Sequence, residues 1–168
     1  MPQSKREQEN TMTAISEVMT RDVTVVCPAD SMQRAAQLMA EWNVGILPVC
    51  DGTRLVGMVT DRDITVRGVA AGKTVESTRV SEVMSDKVYW LFEDQRVGEA
   101  LQEMGDAQIR RIPVVNRDMQ LVGIVSLGDL ATRDQTNVQD ALEEISFPSE
   151  PVRQETKNDG SSCQPPGA

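Results

Sequence analysis

The chain has 168 residues, a formal net charge of −9 from 17 basic and 26 acidic side chains, no histidine and only 3% aromatic residues. That length holds one domain, or two small lobes around a real core, and the scarce aromatics leave Val, Ile, Leu, Met and Ala to build it. Such acidity opposes general binding to nucleic-acid phosphates or to an anionic membrane surface. The absence of histidine removes Ser-His-Asp and Cys-His catalysis, histidine-ligated zinc and histidine pH switching.

The first residues, 1–12, are polar and read as a flexible tail without the apolar stretch of a secretory signal. No apolar run approaches a membrane span. Cys27, Cys50 and Cys163 are an odd number with no C-x-x-C spacing, so they read as reduced thiols in a cytoplasmic protein. "SEVM" (16–19) suggests a short helix capped by Ser16, and "VTVV" (23–26) a β-branched strand. Pro28 and Asp30 then open a helix whose apolar residues Ala35, Leu38, Met39 and Trp42 recur at helical spacing. "ILPVCDGTRLVGMVT" (46–60) reads as two strands about the turn Asp51-Gly52, with a helix starting after Thr60.

From there the pattern repeats. "SEVMTRDVTVV" (16–26) matches "SEVMSDKVYWL" (81–91), and "QRAAQLMAEWNVGILPV" (33–49) matches "GEALQEMGDAQIRRIPV" (98–114), both at an offset of 65. "LVGMVTDRDI" (55–64) matches "LVGIVSLGDL" (121–130) at 66, because the second turn, "NRDMQ", is longer. An internal duplication of this size predicts an α/β fold of two pseudo-symmetric units, each helix–strand–helix–strand–strand–helix, packed through their small sheets. The units are expected over 13–72 and 81–134, with a linker over 73–80. A short amphipathic helix capped by Asn137 is expected within 135–147, and a disordered acidic tail over 148–168.

The chemistry concentrates in "GMVTDRD" (57–63) and its echo "GIVSLGD" (123–129). Thr60 with Asp63, and Ser126 with Asp129, have the spacing of a helix-capping box, and capping alone explains both pairs. Three features favour a nucleotide site as well. Gly57 and Gly123 interrupt apolar strands, where glycine marks a bulge or a close approach to the backbone. A helix start offers free N–H groups to phosphate. A carboxylate one turn further in can accept hydrogen bonds from two ribose hydroxyls.

Two copies of "P-V … L-V-G-[MI]-V-[ST]-x-x-D" over residues 13–134 closely resemble the CBS domain, named after cystathionine β-synthase, here as a tandem pair or Bateman module. The resemblance implies clefts for adenosine-containing ligands: AMP, ADP, ATP, NAD or S-adenosylmethionine. It implies that Thr60 and Asp63, and Ser126 and Asp129, meet phosphate and ribose. It places adenine against the backbone near Val23, Ile46 and Leu47 in the first unit, and near Val88 and Ile112 in the second. Arg110 and Arg111 stand at roughly the places where the first unit has Val44 and Gly45, and Arg62 precedes Asp63 where Gly128 precedes Asp129. The favoured site is therefore Thr60 and Asp63, with Arg110 and Arg111 at its phosphates, since the guanidinium fork holds two phosphate oxygens. The competing reading of these arginines is surface ion pairing with Asp106 or Glu103.

The function expected is a regulatory nucleotide sensor that signals by lobe or dimer rearrangement, not an enzyme. No Walker loop, no GxGxxG after a strand and no nucleophile with a base is visible. An interaction scaffold that has lost its ligand, and a small carboxylate-based hydrolase, are the alternatives. The resemblance also implies a homodimer, for which the "SEVM" and "AAQLMAEW" helices would supply apolar faces, and an unidentified regulated protein.

Overall fold

Helix α1 (Ile15–Val18) opens the computed structural model, which describes residues 13–133. The expected tails at 1–12 and 148–168, and the expected helix within 135–147, lie outside the described residues. Burial sets the phase of α1: Ile15 and Val18 are buried, so Ser16 falls inside the helix and Ala14 takes the cap position. The Ala14 N–H donates to Glu17 Oε1 (3.4 Å). The echo at Val80–Glu82 is a single 3₁₀ turn, where the Arg79 N–H donates to Glu82 Oε1 (3.0 Å). Neither Ser16 nor Ser81 caps, contrary to the sequence expectation.

Residues 23–26 also depart from expectation. They form one parallel bridge, Val26 to Val49, not a strand. The second repeat pairs two residues, β3 (Leu91–Phe92), and then donates Glu93 N–H to Val115 O (3.0 Å). The position matching Glu93 is Pro28, which has no N–H, so the first ladder stops. Asp30 closes a turn by accepting the Cys27 N–H (2.8 Å). Helix α2 (Met32–Trp42) is capped instead by Ser31, whose Oγ accepts the Arg34 N–H (3.1 Å). Ala35, Leu38 and Met39 face the core as expected, but Trp42 is 58% exposed.

Strands β1 (Ile46–Asp51) and β2 (Arg54–Thr60) form an antiparallel hairpin about Gly52, whose φ of 60° suits glycine. Helix α3 (Asp61–Asp63) runs on through a π turn (Ile64–Gly68) and a 3₁₀ turn (Val69–Ala71). The second repeat supplies α4 (Val97–Ala107), β4 (Arg111–Val115), β5 (Leu121–Ser126) and α5 (Leu127–Arg133). Asn116 Oδ1 tightens the longer turn by accepting N–H bonds from Asp118 and Gln120, both 3.0 Å. The result is α/β, with a two-stranded sheet β1-β2 and a three-stranded sheet β3-β4-β5.

The sequence repeats are not the packing units. Ile15, Val18 and Met19 are buried among Leu91, Met104, Ile112 and Leu130 of the second repeat. Val80 and Val83 are buried among Met32, Leu38, Leu47 and Val59 of the first. Each core therefore draws its first helical turn from the other repeat. Backbone bridges follow the same exchange: Ala14 with Arg96 and Ser31 with Arg79, Thr20 with Ile124 and Met58 with Ser85. A third cluster, Cys50, Leu55, Met58 and Val115, seals the lobes where Arg54 bridges Gln120. The "SEVM" residues expected to serve a dimer face are thus consumed within the chain.

Among the described residues no helix is long and apolar enough to cross a membrane. Cys27 and Cys50 are free thiols, Cys27 exposed and Cys50 buried. Burial pushes the Cys50 thiol up to about 11, and neighbouring Cys27 adds to the rise. In the folded protein at pH 8, iodoacetamide is expected to label Cys27 and spare Cys50 until denaturant is added, read peptide by peptide by mass spectrometry. Because folding raises this pKa, the stability linked to neutral Cys50 is complete below about pH 9 and is lost as the pH rises to about 11.

Candidate functional site

At the end of β2, Thr60 turns the chain into α3 in extended conformation. Its Oγ1 accepts the Asp63 N–H (3.0 Å) and donates to Asp63 Oδ2 (2.8 Å). The same carboxylate oxygen accepts the Thr60 N–H (3.0 Å). Ser126 and Asp129 repeat the motif, with the corresponding bonds at 3.1, 2.7 and 3.0 Å. Both capping boxes are formed, so the capping reading holds for both pairs. Asp63 Oδ1 lies 3.6 Å from Arg67 Nε. Arg67 in turn donates Nη1–H bonds to Val83 O, Met84 O and Ser85 Oγ (3.0–3.1 Å), tying the first cap to the exchanged segment.

The strand glycines make room for the protein's own chain. Both sit at bulges, Gly57 opposite Val49 and Gly123 opposite Val114. A Cβ at Gly57 would lie 2.8 Å from Met84 Sδ and 3.0 Å from Ser85 O. At Gly123 it would lie 2.6 Å from Met19 Sδ and 2.9 Å from Thr20 O. The expected bulge is present, but the backbone that approaches belongs to the other repeat, so these glycines are not evidence for a ligand.

A cleft of about 240 Å³ opens between the two repeats, and Thr60, Asp63, Ser126 and Asp129 stand outside its described lining. Its wall comes from both repeats: Thr20, Asp22, Val23 and Thr24; Trp42 and Val44 with Ile46, Leu47 and Pro48; and Arg111 with Ile124. The fold thus brings together four of the residues singled out in the sequence, Val23, Ile46, Leu47 and Arg111. Thr60 pairs directly with Ile46 across the hairpin, which puts the two side chains on one face. Arg111 likewise pairs with Ser126. Among the described residues no ion pair joins Arg110 or Arg111 to Asp106 or Glu103, whereas Arg67–Asp63, Lys73–Glu82 and Arg117–Asp94 do pair. Arg62 and Arg110 are exposed and stand outside the described lining. Ile112 is wholly buried in the second core, so only its backbone can face a ligand. Val88 packs with Ile46 against the seal between the lobes.

The sequence reading did not single out Trp42, Asp22 or Arg67. Trp42 looked like the next core position of α2, yet it is the last helical residue and tips outwards. Asp22 sits at a positive φ of 56°, a backbone choice that one sequence does not reveal. Arg67 carried a signal, since Asp63–Arg67 and Asp129–Arg133 share the i,i+4 spacing of a helical ion pair.

A family model for the CBS domain matches residues 15–67 and again 80–136. The chain belongs to the CBS domain family. This CBS pair is 42% identical to the uncharacterized protein YlbB of Bacillus subtilis over 139 residues, 80% of this chain and 93% of YlbB. It is 39% identical to Hypoxic response protein 1 of Mycobacterium tuberculosis over 121 residues, 71% of this chain and 84% of that one. Among solved structures, Hypoxic Response Protein I with two coordinated zinc ions superposes with a TM-score of 0.67 at 37% identity, covering 72% of this chain and 98% of that one. A CBS domain pair in complex with 5′-methylthioadenosine and S-adenosyl-L-methionine gives 0.63 at 27% identity, covering 71% and 97%. CBSX2 in complex with AMP gives 0.61 at 26% identity, covering 77% and 96%. In this CBS pair no group of three or more His, Cys, Asp or Glu side chains among the described residues is placed to hold a metal ion.

Proposed function

We propose that this CBS pair is a regulatory module that binds one adenosine-containing ligand in the first cleft, performs no catalysis, and passes the binding event to a partner protein. The observation that carries this reading is the wall of the cleft, built by both repeats. A ligand there touches both lobes, so it favours whichever arrangement it fits better and shifts the population towards it. In this reading the base lies against Val23, Ile46 and Leu47, and the ribose hydroxyls donate to the Asp63 carboxylate beside Thr60. Arg111 meets phosphate, with Arg110 and Arg62 as outer cations. Support comes from the solved relatives that hold AMP, or 5′-methylthioadenosine and S-adenosyl-L-methionine.

The second cleft, around Ser126, Asp129, Val88 and Ile112, is the weaker one in this reading. At the offset of 65 the places matching Arg110 and Arg111 are Gly45 and Ile46, one residue on from the rough match to Val44 and Gly45, and neither is a cation. A cytoplasmic location and a homodimer complete the proposal. With the apolar faces of α1 and α2 turned into the cores, the exposed Val66 and Val69 beyond the Thr60 cap are the apolar surface a second copy would meet.

Thermal unfolding with AMP, ADP, ATP, NAD or S-adenosylmethionine tests the reading. A ligand at a hundred times its dissociation constant adds about 2.7 kcal/mol. The shift is expected to vanish in Asp63→Ala, measured against that variant's own baseline, and to persist in Asp129→Ala. No shift with any of the five would leave the interaction scaffold as the better reading. Steady turnover of ATP or NAD by pure protein would overturn the non-enzymatic assignment.

A further inference from the structure

We infer that Trp42 is the stacking residue of the first cleft, and that the cleft selects a purine nucleoside carrying at most one phosphate over nucleoside triphosphates and dinucleotides. The inference rests on the adenosine reading above and narrows it.

Trp42 is 58% exposed and lines the cleft. Tryptophan is usually highly buried, so an indole left on a cleft rim is informative. Its position is fixed from below. Asn43 adopts the left-handed conformation (φ 51°) and donates its N–H to the carbonyls of Met39 and Ala40, ending α2. The chain then turns directly into Val44 and β1, whose Ile46, Leu47 and Pro48 line the same cleft.

The second repeat serves as an internal control. Gln108 ends α4 with φ 52° and the same pair of N–H contacts, to Met104 and Gly105. The residue before it, matching Trp42, is Ala107. The same backbone is made without an indole, so the fold does not require one at Trp42. An exposed indole among apolar lining side chains can hold a nucleobase by its π face, and one stacked base contributes a substantial share of affinity.

Charge sets the rest of the selection. Asp22 and Arg111 are the charged side chains in the described lining, and they balance. Arg111 is the guanidinium within the described lining, with Arg62 and Arg110 exposed outside it, so one phosphate is held closely while Asp22 opposes a chain of them. A dinucleotide brings two phosphates to the one guanidinium of the described lining and is therefore disfavoured with the triphosphates.

The test uses the full chain. The protein has two tryptophans, and Trp90 lies outside the cleft, edge-on to Phe92 with ring centroids 4.8 Å apart. Trp90→Phe therefore leaves Trp42 as the sole reporter. Its emission is expected to change and saturate on titration with AMP. By calorimetry, Trp42→Ala should weaken AMP binding by roughly five- to 150-fold, the range of one stacked base, and Trp42→Phe should restore most of it. ATP and NAD should each bind at least tenfold more weakly than AMP. The exposed site predicts an unchanged melting temperature for Trp42→Ala without ligand, which separates lost stacking from misfolding. AMP binding that ignores Trp42→Ala, or tighter binding of ATP or NAD than of AMP, overturns this inference alone. If adenosine, AMP, ATP and NAD all fail to bind the unaltered protein, the adenosine reading falls and this inference with it.

Discussion

Gly123→Ala is expected to lower the unfolding free energy by about 3 kcal/mol, near the upper end of what overpacking usually costs. The new methyl would meet Met19 Sδ at 2.6 Å and Thr20 O at 2.9 Å. The thioether can swing aside, but the carbonyl cannot move alone. Thr20 O accepts the Ile124 N–H (2.9 Å) while Thr20 N–H donates to Ile124 O (2.8 Å), so relief must break this pair or shift the segment. That segment leads straight to Asp22 and Val23 in the cleft wall. Ligand affinity should therefore fall together with stability. Gly57→Ala, with Met84 Sδ at 2.8 Å and Ser85 O at 3.0 Å, should cost less. Urea denaturation decides the matter. A Gly123→Ala midpoint equal to the parent's would mean that the exchanged segment is not held against the strand.

Ile15→Ala is expected to cost a similar amount, about 2–5 kcal/mol for truncating a fully buried isoleucine. The damage should appear in the second lobe although Ile15 belongs to the first repeat, because Ile15 is buried with Met104, Ile112 and Leu130. Hydrogen exchange should show β4 and β5 amides losing protection before those of β1 and β2. Val83→Ala should reverse that order, since Val83 closes the first core. Equal loss in both lobes for each variant would contradict the exchange of helices.

Local features were legible in the sequence; the partners they meet were not. The duplication, both hairpins and both capping boxes follow from spacing and turn chemistry, which act within a few residues. Thr60 and Ser126 thus do what their spacing says. Gly57 and Gly123 announced a bulge and a close approach, but one sequence cannot say whether a ligand or another strand does the approaching. Periodicity placed Trp42 in line with Ala35, Leu38 and Met39 without showing that the helix ends there, where the core no longer covers it. The lost strand at 23–26 was readable in principle. Pro28 removes the N–H that Glu93 uses in the other repeat, so the chemistry was in the sequence and the pairing partner was not. Likewise, the apolar pattern of "SEVM" announces burial and leaves open which lobe it is buried in.

The exchanged helices also govern how the chain comes to be folded. As the protein leaves the ribosome, the first repeat is complete in sequence while Val80 and Val83, which close its core, are still to be made. Ile15 in turn has no core to enter until Met104, Ile112 and Leu130 have followed. Both cores depend on contacts between residues far apart along the chain, the kind that form slowly because loop closure precedes any gain. The first core can close once Val83 has been made, while Ile15 waits for Leu130. The lobe that closes last thus recaptures the segment that was made first.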